Sequence, residues 1–321
     1  MDTESLIEVR VARKTVEAEG IAGFCLVPTG GTLPPFDAGA HIDVHLPGGL
    51  VRQYSLCGPP QAVNAYHIGV LHDAASRGGS RTMHELVNEG DVLRIGQPKN
   101  HFRLNEGAAR SLLFAGGIGV TPIIAMADRL AAIGADFEFH YCTRSQARTA
   151  FMRRLLGSAF ASKVRFHFDD GAAEQKLDFA ATLAHPGAQT HLYVCGPNGF
   201  LDTVCASARA IGWSDAQIHF EYFAGQQSSS TGDSGFELEL RQSGRVIRVE
   251  AEQTCVDALA AIGVEIPTSC RQGVCGTCLT GVIDGLVDHR DLYLLPDEQA
   301  ANDKFLPCCS RAKSPRLVID L

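Results

Sequence analysis

The chain has 321 residues, 45% hydrophobic and 20% charged, long enough for about two or three cores and too apolar for global disorder. A net charge of −8 without a basic block argues against nucleic acid or an anionic membrane as partner. Eleven cysteines, an odd number, exclude a complete disulfide framework. No apolar run reaches the roughly 20 residues of a bilayer span, and the polar opening Met1-Asp2-Thr3-Glu4 is no secretory signal. A cytoplasmic protein with free or metal-bound thiols is expected.

Residues 1–103 read as a small antiparallel β-barrel, with β segments at 6–11, 41–46, 50–56 and 66–71 broken by Gly and Pro. In Arg52-Gln53-Tyr54-Ser55-Leu56, strand geometry puts Arg52, Tyr54 and Leu56 on one face and Gln53 and Ser55 on the other. A guanidinium suits bidentate phosphate binding and a tyrosine beside it can stack on a planar ring; an ordinary exposed strand is the plain alternative. Further along, Arg77-Gly78-Gly79-Ser80-Arg81-Thr82 opens a helix predicted over 80–87, capped by Ser80 and ended by Gly90. A helix start behind glycines offers free N–H groups and a positive dipole end, so the two elements together fit a flavin phosphate.

Residues 104–225 alternate strands (111–115, 137–142, 164–168, 191–195) with helices (122–133, 147–156, 177–183, 200–211), the pattern of a parallel, doubly wound α/β sheet. Phe114-Ala115-Gly116-Gly117-Ile118-Gly119-Val120-Thr121-Pro122 runs from strand to helix, with Pro122 suited to the first turn. Its glycines would let a dinucleotide approach the turn. It is not the G-x-G-x-x-G fingerprint, so a purely structural turn stays open. Tyr193-Val194-Cys195-Gly196-Pro197-Asn198 ends a later strand, where ligands of open parallel sheets bind. There the Cys195 thiol either lies near reacting rings or is a buried small hydrophobe. Glu221-Tyr222-Phe223-Ala224 closes the last strand, and Phe223 either covers a flavin face or packs in the core.

The small polar residues of 226–234 form the expected linker. In 235–321, paired strands at 236–241 and 245–251 and a helix at 255–262 precede a cysteine loop. Its spacing, Cys270-x4-Cys275-x2-Cys278 and then Cys308 after 29 residues, is the plant-type [2Fe–2S] arrangement. Gly273 and Gly276 allow a tight loop that turns N–H groups toward the sulfides. Structural zinc, the alternative, usually pairs two Cys-x2–4-Cys elements, and only Cys275/Cys278 forms one. Cys308 and Cys309 are adjacent, so spacing alone leaves either as fourth ligand.

These elements, in this order and over essentially the whole chain, resemble the phthalate dioxygenase reductase family, a branch of the ferredoxin–NADP reductase superfamily. Residues 51–56 and 276–279 resemble most its vanillate O-demethylase reductases. The ending Cys308-Cys309-Ser310-Arg311 resembles the family's C-x-S-R, which selects Cys308 as ligand beside Cys270, Cys275 and Cys278. The resemblance implies a multidomain fold: an FMN-binding antiparallel β-barrel, an NAD-binding α/β domain and a β-grasp 2Fe-2S ferredoxin domain. It implies that Arg52, Ser55, Leu56, Gly79, Ser80 and Arg81 hold FMN, with Tyr54 against its ring. Gly117, Thr121, Cys195, Gly196 and Pro197 would place the nicotinamide, Thr121, Cys195 and Phe223 lying nearest the chemistry. The family favours FMN over FAD and NADH over NADPH. The residues themselves are ambivalent on the second choice, since Arg144 suits a 2′-phosphate and Asp169-Asp170 oppose one.

NADH gives up two electrons as hydride, a [2Fe–2S] centre takes one at a time, and flavin converts between them. The implied path is therefore NADH, FMN, cluster, and then the Rieske-type terminal oxygenase of an aromatic hydroxylation or demethylation system, served by a monomeric reductase. No side chain need act as acid or base, and His41, His45, His84 and His140 receive no role. Thirteen acidic against nine basic residues in 235–321 would steer the ferredoxin surface toward a basic partner patch. The alternatives are an electron-transfer subunit of another multicomponent flavoenzyme and a redox-sensing regulator, which would need a DNA-binding segment the chain lacks.

Overall fold

The computed structural model describes residues 6–74, 78–223, 233–268, 271–274 and 276–321. Arg77, Cys270, Cys275 and most of the expected linker lie outside the described residues. The chain divides into two compact units, Met1–Phe223 and Ala224–Leu321.

The first unit begins with an antiparallel barrel. Its strands are β1 (Ile7–Ala18), β2 (Ile21–Pro28), β3 (His41–His45), β4 (Val51–Ser55), β5 (Tyr66–Leu71) and β6 (Val92–Ile95), with helix α1 (Gly79–Glu85) before β6. The order is β4-β3-β6-β1-β2-β5, and a bridge between Leu56 and Ile68 joins the two ends. Along β1, Val9 and Val11 point inward and Glu8, Arg10 and Ala12 outward, the alternation that fixes register on a half-buried strand. Strands β2 and β6 escape the sequence reading. The cap of α1 also differs from expectation: Gly78, at φ +93°, is the N-cap, and Ser80 sits inside the first turn. Only a residue without Cβ takes that left-handed turn cheaply, so glycine displaces serine from the cap.

A parallel sheet follows. It comprises β7 (Arg110–Gly116), β8 (Phe137–Thr143), β9 (Val164–Phe168), β10 (Thr190–Gly196) and β11 (Ile218–Tyr222), ordered β11-β10-β7-β8-β9. Helices α2 (Val120–Ala132), α3 (Met152–Leu156), α4 (Phe179–Leu183) and α5 (Asn198–Ala210) cross between them. Leu113, Tyr141 and Tyr193 pack on the α2 side, and Leu112, Phe114 and Val194 on the α5 side. Both faces are thus covered, as parallel sheets require. Connections from β7 run one way through β8 and β9, whereas β10 and β11 lie on the other side, so the switch point falls between β7 and β10. The helix expected at 147–156 is broken: a 3-10 turn, Gln146–Arg148, is followed by Phe151 at φ +58° and only then by five-residue α3.

The second unit is a small mixed sheet with a helix, the β-grasp arrangement. Strands β12 (Phe236–Leu240) and β13 (Arg245–Val249) lead to α6 (Cys255–Ala261), capped by Thr254, whose hydroxyl accepts from the Asp257 amide at 3.1 Å. Then come β14 (Thr280–Asp284), β15 (Val287–Asp288), α7 (Pro296–Ala301), β16 (Lys304–Phe305), β17 (Arg311–Ala312) and β18 (Arg316–Ile319). The sheet order is β13-β12-β18-β14-β16, with β12 and β18 parallel, and β15 pairs with β17. Among the described residues, no helix is long and apolar enough to cross a membrane.

Candidate functional site

On the barrel, β4 carries its side chains to the start of α1. The Arg52 side chain lies over Gly79 so closely that a Cβ there would stand 2.4 Å from Nε. A guanidinium is thereby held against the free amides of a helix start, two donor sets suited to one phosphate. The Ser80 hydroxyl accepts from the Asp73 amide at 3.2 Å, and Arg81 is exposed. Tyr54 packs against the barrel core, and burial pushes its hydroxyl well above the usual range. Leu56 is wholly inside that core, so only its backbone is available to a ligand.

At the switch point, the turns after β7 and β10 meet backbone to backbone. A Cβ on Gly119 would stand 2.3 Å from the Cys195 carbonyl oxygen, and one on Gly196 would stand 2.8 Å from Gly116 Cα. A Cβ on Gly116 itself would strike Phe200 and Pro197. These three glycines serve the packing of one turn on the other. Gly117, at φ +53°, differs from them in having open space around the position of a Cβ. Thr121 is buried in the first turn of α2, its hydroxyl donating to the Ile118 carbonyl at 3.1 Å. Pro197 precedes α5 as its N-cap residue. Phe223, just past β11, packs against the core on the α2 side.

Sequence reasoning passed over Glu221. It pairs with Cys195 across β11 and β10, and its carboxyl group lies beside the Ser55 side chain of the barrel. The residue is partly buried, yet its Oε2 is sealed from solvent and has no hydrogen-bond partner among the described residues. Burial pushes the carboxyl up to about 8, opposed by the Ser55 hydroxyl, so the acid is neutral over much of the physiological range. Cys195, fully buried beside it, is driven up by burial and then by the Glu221 charge; its thiol stays protonated. Ser55, Cys195 and Glu221 thus gather from two folds of the chain at the edge of the switch-point crevice. The available signal was an acid on the last strand, two residues before Phe223.

Beyond the carboxyl ends of β8 and β9, the Asp169 amide donates to the Thr143 carbonyl at 3.0 Å and the Asp170 amide to that of Arg144 at 3.2 Å. Arg144 and the two aspartates therefore share one rim of the crevice.

In the second unit, Cys278 and Cys308 are buried together with Val256, Leu294 and Leu306. Hydrogen bonds, first from Cys278 and then from Cys309, pull the Cys308 thiol down to about 4, whereas Cys309 is pushed far up by the same pair. Of the two, Cys308 is the one whose surroundings favour loss of the thiol proton. The chain just before Cys278 is compressed: a Cβ on Gly273 (φ +73°) would meet Cys309 Sγ at 2.5 Å, and one on Gly276 (φ +69°) the Tyr293 ring at 2.3 Å. A tight glycine loop over two buried thiols fits a thiolate-held cluster.

Residues 238–313 match the 2Fe-2S iron-sulfur cluster binding domain family, and residues 97–218 the N-terminal domain of the dimethylamine monooxygenase subunit DmmA-like family. The chain is 52% identical to vanillate O-demethylase oxidoreductase of Pseudomonas sp. (strain HR199) over 98% of its own length and all of that protein. Among solved structures it matches phthalate dioxygenase reductase, described as a modular structure for electron transfer from pyridine nucleotides to [2Fe–2S]. That match has 36% identity and a TM-score of 0.78, covering 99% of this chain and 98% of that one. It also matches a type IV self-sufficient cytochrome P450 monooxygenase at 39% identity and a TM-score of 0.83, where it spans only 41% of the larger chain. At these identities over nearly its whole length, the chain belongs to the phthalate dioxygenase reductase family.

Proposed function

We propose that this chain is the reductase component of a Rieske-type aromatic oxygenase or O-demethylase system, drawing electrons from NADH and passing them singly to the terminal oxygenase. The observation that carries the reading is that the Arg52–Gly79 cradle and the Gly117–Thr121 turn belong to one compact unit, in which barrel strand β5 packs on Thr121 at Gly69. In this reading residues 1–103 form the FMN domain, 104–225 the NAD domain, 226–234 the linker and 235–321 the ferredoxin domain. The protein works as a cytoplasmic monomer.

Arg52 and the amides of Gly79, Ser80 and Arg81 bind the FMN phosphate, and Tyr54 lines its ring. Gly117, Thr121, Gly196 and Pro197 seat the nicotinamide end of NADH, and Phe223 shields the crevice from water. Bound FMN supplies the conversion of a two-electron hydride into single electrons. Glu221, neutral beside Ser55, and the protonated Cys195 keep negative charge away from the place where hydride arrives. Cys270, Cys275, Cys278 and Cys308 hold the cluster.

The test is reconstitution of the purified chain with candidate Rieske oxygenases, scoring product formed per NADH consumed. Release of FMN on denaturation and two irons per chain are expected first; coupling to no such oxygenase would sink the reading. The match to part of a cytochrome P450 chain favours a second reading, an electron-transfer subunit of another multicomponent flavoenzyme, which coupling to a P450 instead would select.

A further inference from the structure

The broken helix after β8 points to a role for Phe151 and Arg154. Phe151 is a buried, non-glycine residue in the left-handed region, a conformation that persists only where surrounding packing demands it. Its ring is wedged at the junction between barrel and parallel sheet. A Cβ on Gly69 of β5 would stand 2.9 Å from Phe151 Cζ and 2.9 Å from Thr121 Cγ2. The barrel strand, the phenyl ring and the nicotinamide-side threonine therefore touch at one point, and only glycine fits there.

One helical turn later, Arg154 bridges the same two halves. Its Nη2 donates to Asp128 Oδ2 of α2 at 2.5 Å, and its Nη1 donates to the carbonyl of Cys57, two residues beyond Ser55. The Cys57 amide in turn donates to the His67 carbonyl of β5 at 2.8 Å, two residues before Gly69. Asp128 lies on the helix whose first turn carries Thr121. So Phe151 and Arg154, at the start of α3 and within it, meet the barrel at Gly69 and Cys57, and Arg154 also holds α2 at Asp128.

We infer that Phe151 and Arg154 are positioning residues that set the spacing between the flavin-side strand end, Ser55–Cys57, and the nicotinamide-side turn at Thr121. This rests on the reading of Thr121 as a nicotinamide neighbour. Hydride, one proton with both electrons of a nicotinamide C–H bond, moves whole from NADH and leaves NAD+. The transfer needs reacting atoms about 3–3.5 Å apart, and a 1 Å misplacement costs about 100-fold in rate. A left-handed Phe151 is the conformation that turns the chain from the 3-10 turn into α3 with the ring toward Gly69.

The test uses the full-length holoprotein with Phe151→Leu and Gly69→Ala, which disturb the same contact from opposite sides. Flavin reduction is followed with NADH and with NADH deuterated at the transferred hydrogen. NAD+ affinity is measured by calorimetry, and hydrogen exchange at residues 118–121 by mass spectrometry. Expected are a hydride step slowed about 10- to 100-fold, NAD+ affinity within about two-fold, and faster exchange at residues 118–121. The primary isotope effect should be larger, and dithionite-reduced protein should reduce cytochrome c at the wild-type rate. Both variants melting lower while the hydride step and isotope effect stay unchanged would overturn the inference, leaving a purely structural contact. Thr121→Ala separates the underlying reading. If that variant reduces at the wild-type rate, the nicotinamide assignment falls and takes this inference with it. If it is slow while both spacer variants are normal, only the spacer falls.

Discussion

Replacing Glu221 by Gln should make the stability of the first unit depend differently on pH. The carboxyl is raised from an ordinary 4.5 to about 8, chiefly by burial. Between those values the unfolded chain has lost the proton and the folded one keeps it, so the folded state binds more protons and stability falls as pH rises. The group's contribution is complete below 4.5 and gone above about 8, a span worth on the order of 4–5 kcal/mol. Glutamine is neutral throughout and escapes that loss. The stability difference, variant minus wild type, should therefore grow by on the order of 4 kcal/mol from pH 5 to pH 8, roughly 10 °C in Tm for a unit of this size. Trp213, the chain's single tryptophan, is buried in the first unit and reports its unfolding by fluorescence. Thermal melts of both proteins from pH 5 to 9 give the curve. Ser55→Ala, which removes the hydroxyl favouring the ionised form, should move the wild-type transition to still higher pH. A difference between the Glu221→Gln variant and the native protein that is flat across this range would refute a neutral, buried Glu221.

Cys308→Ser should abolish the visible and EPR signals of a 2Fe–2S cluster while Cys309→Ser retains them; the reverse pattern would reassign the fourth ligand. Gly79→Ala places a Cβ where Arg52 lies and should weaken FMN binding to the apoprotein about 10- to 100-fold, the worth of a charge-assisted phosphate contact. Fluorescence titration with FMN reads it, and an unchanged Kd would remove Arg52 from the phosphate site. Replacing both Asp169 and Asp170 by Asn should raise kcat/KM for NADPH relative to NADH about 10-fold, because Arg144 on the same rim then meets a 2′-phosphate without opposing charge. Steady-state kinetics with both cofactors decide it, and an unmoved ratio would place the 2′-hydroxyl elsewhere.

What could be read from the residues was local. The cysteine spacing, the two glycine turns and the strand–helix alternation of 104–225 are each patterns of residue type along the chain, and family resemblance ordered them. Strand β2 was lost because Ile21–Pro28 is nearly all apolar and broken by Gly23, so it lacks the period-two signal that exposes a half-buried strand. The strands after the cysteine loop are two to five residues long, too short for any periodicity. The glycines of the nucleotide turns were legible as glycines but not as to purpose. Gly116, Gly119 and Gly196 are small because two turns far apart in sequence touch.

The same limit explains the two residues that most alter the site. Over 147–156 the sequence has helical composition throughout, and nothing local distinguishes Phe151 from its neighbours. It takes a left-handed conformation because Gly69, on a barrel strand 82 residues earlier, leaves room for its ring. Glu221 likewise finds its partner in Ser55, 166 positions away. A half-buried acid without a countercharge is costly, and a neighbouring hydroxyl lowers that cost without supplying one. A basic partner in place of Ser55 would hold Glu221 ionised and set a fixed negative charge beside Cys195, where electrons arrive from NADH. Serine supplies no such charge, and its place beside Glu221 is set by two strands of different sheets rather than by either sequence alone.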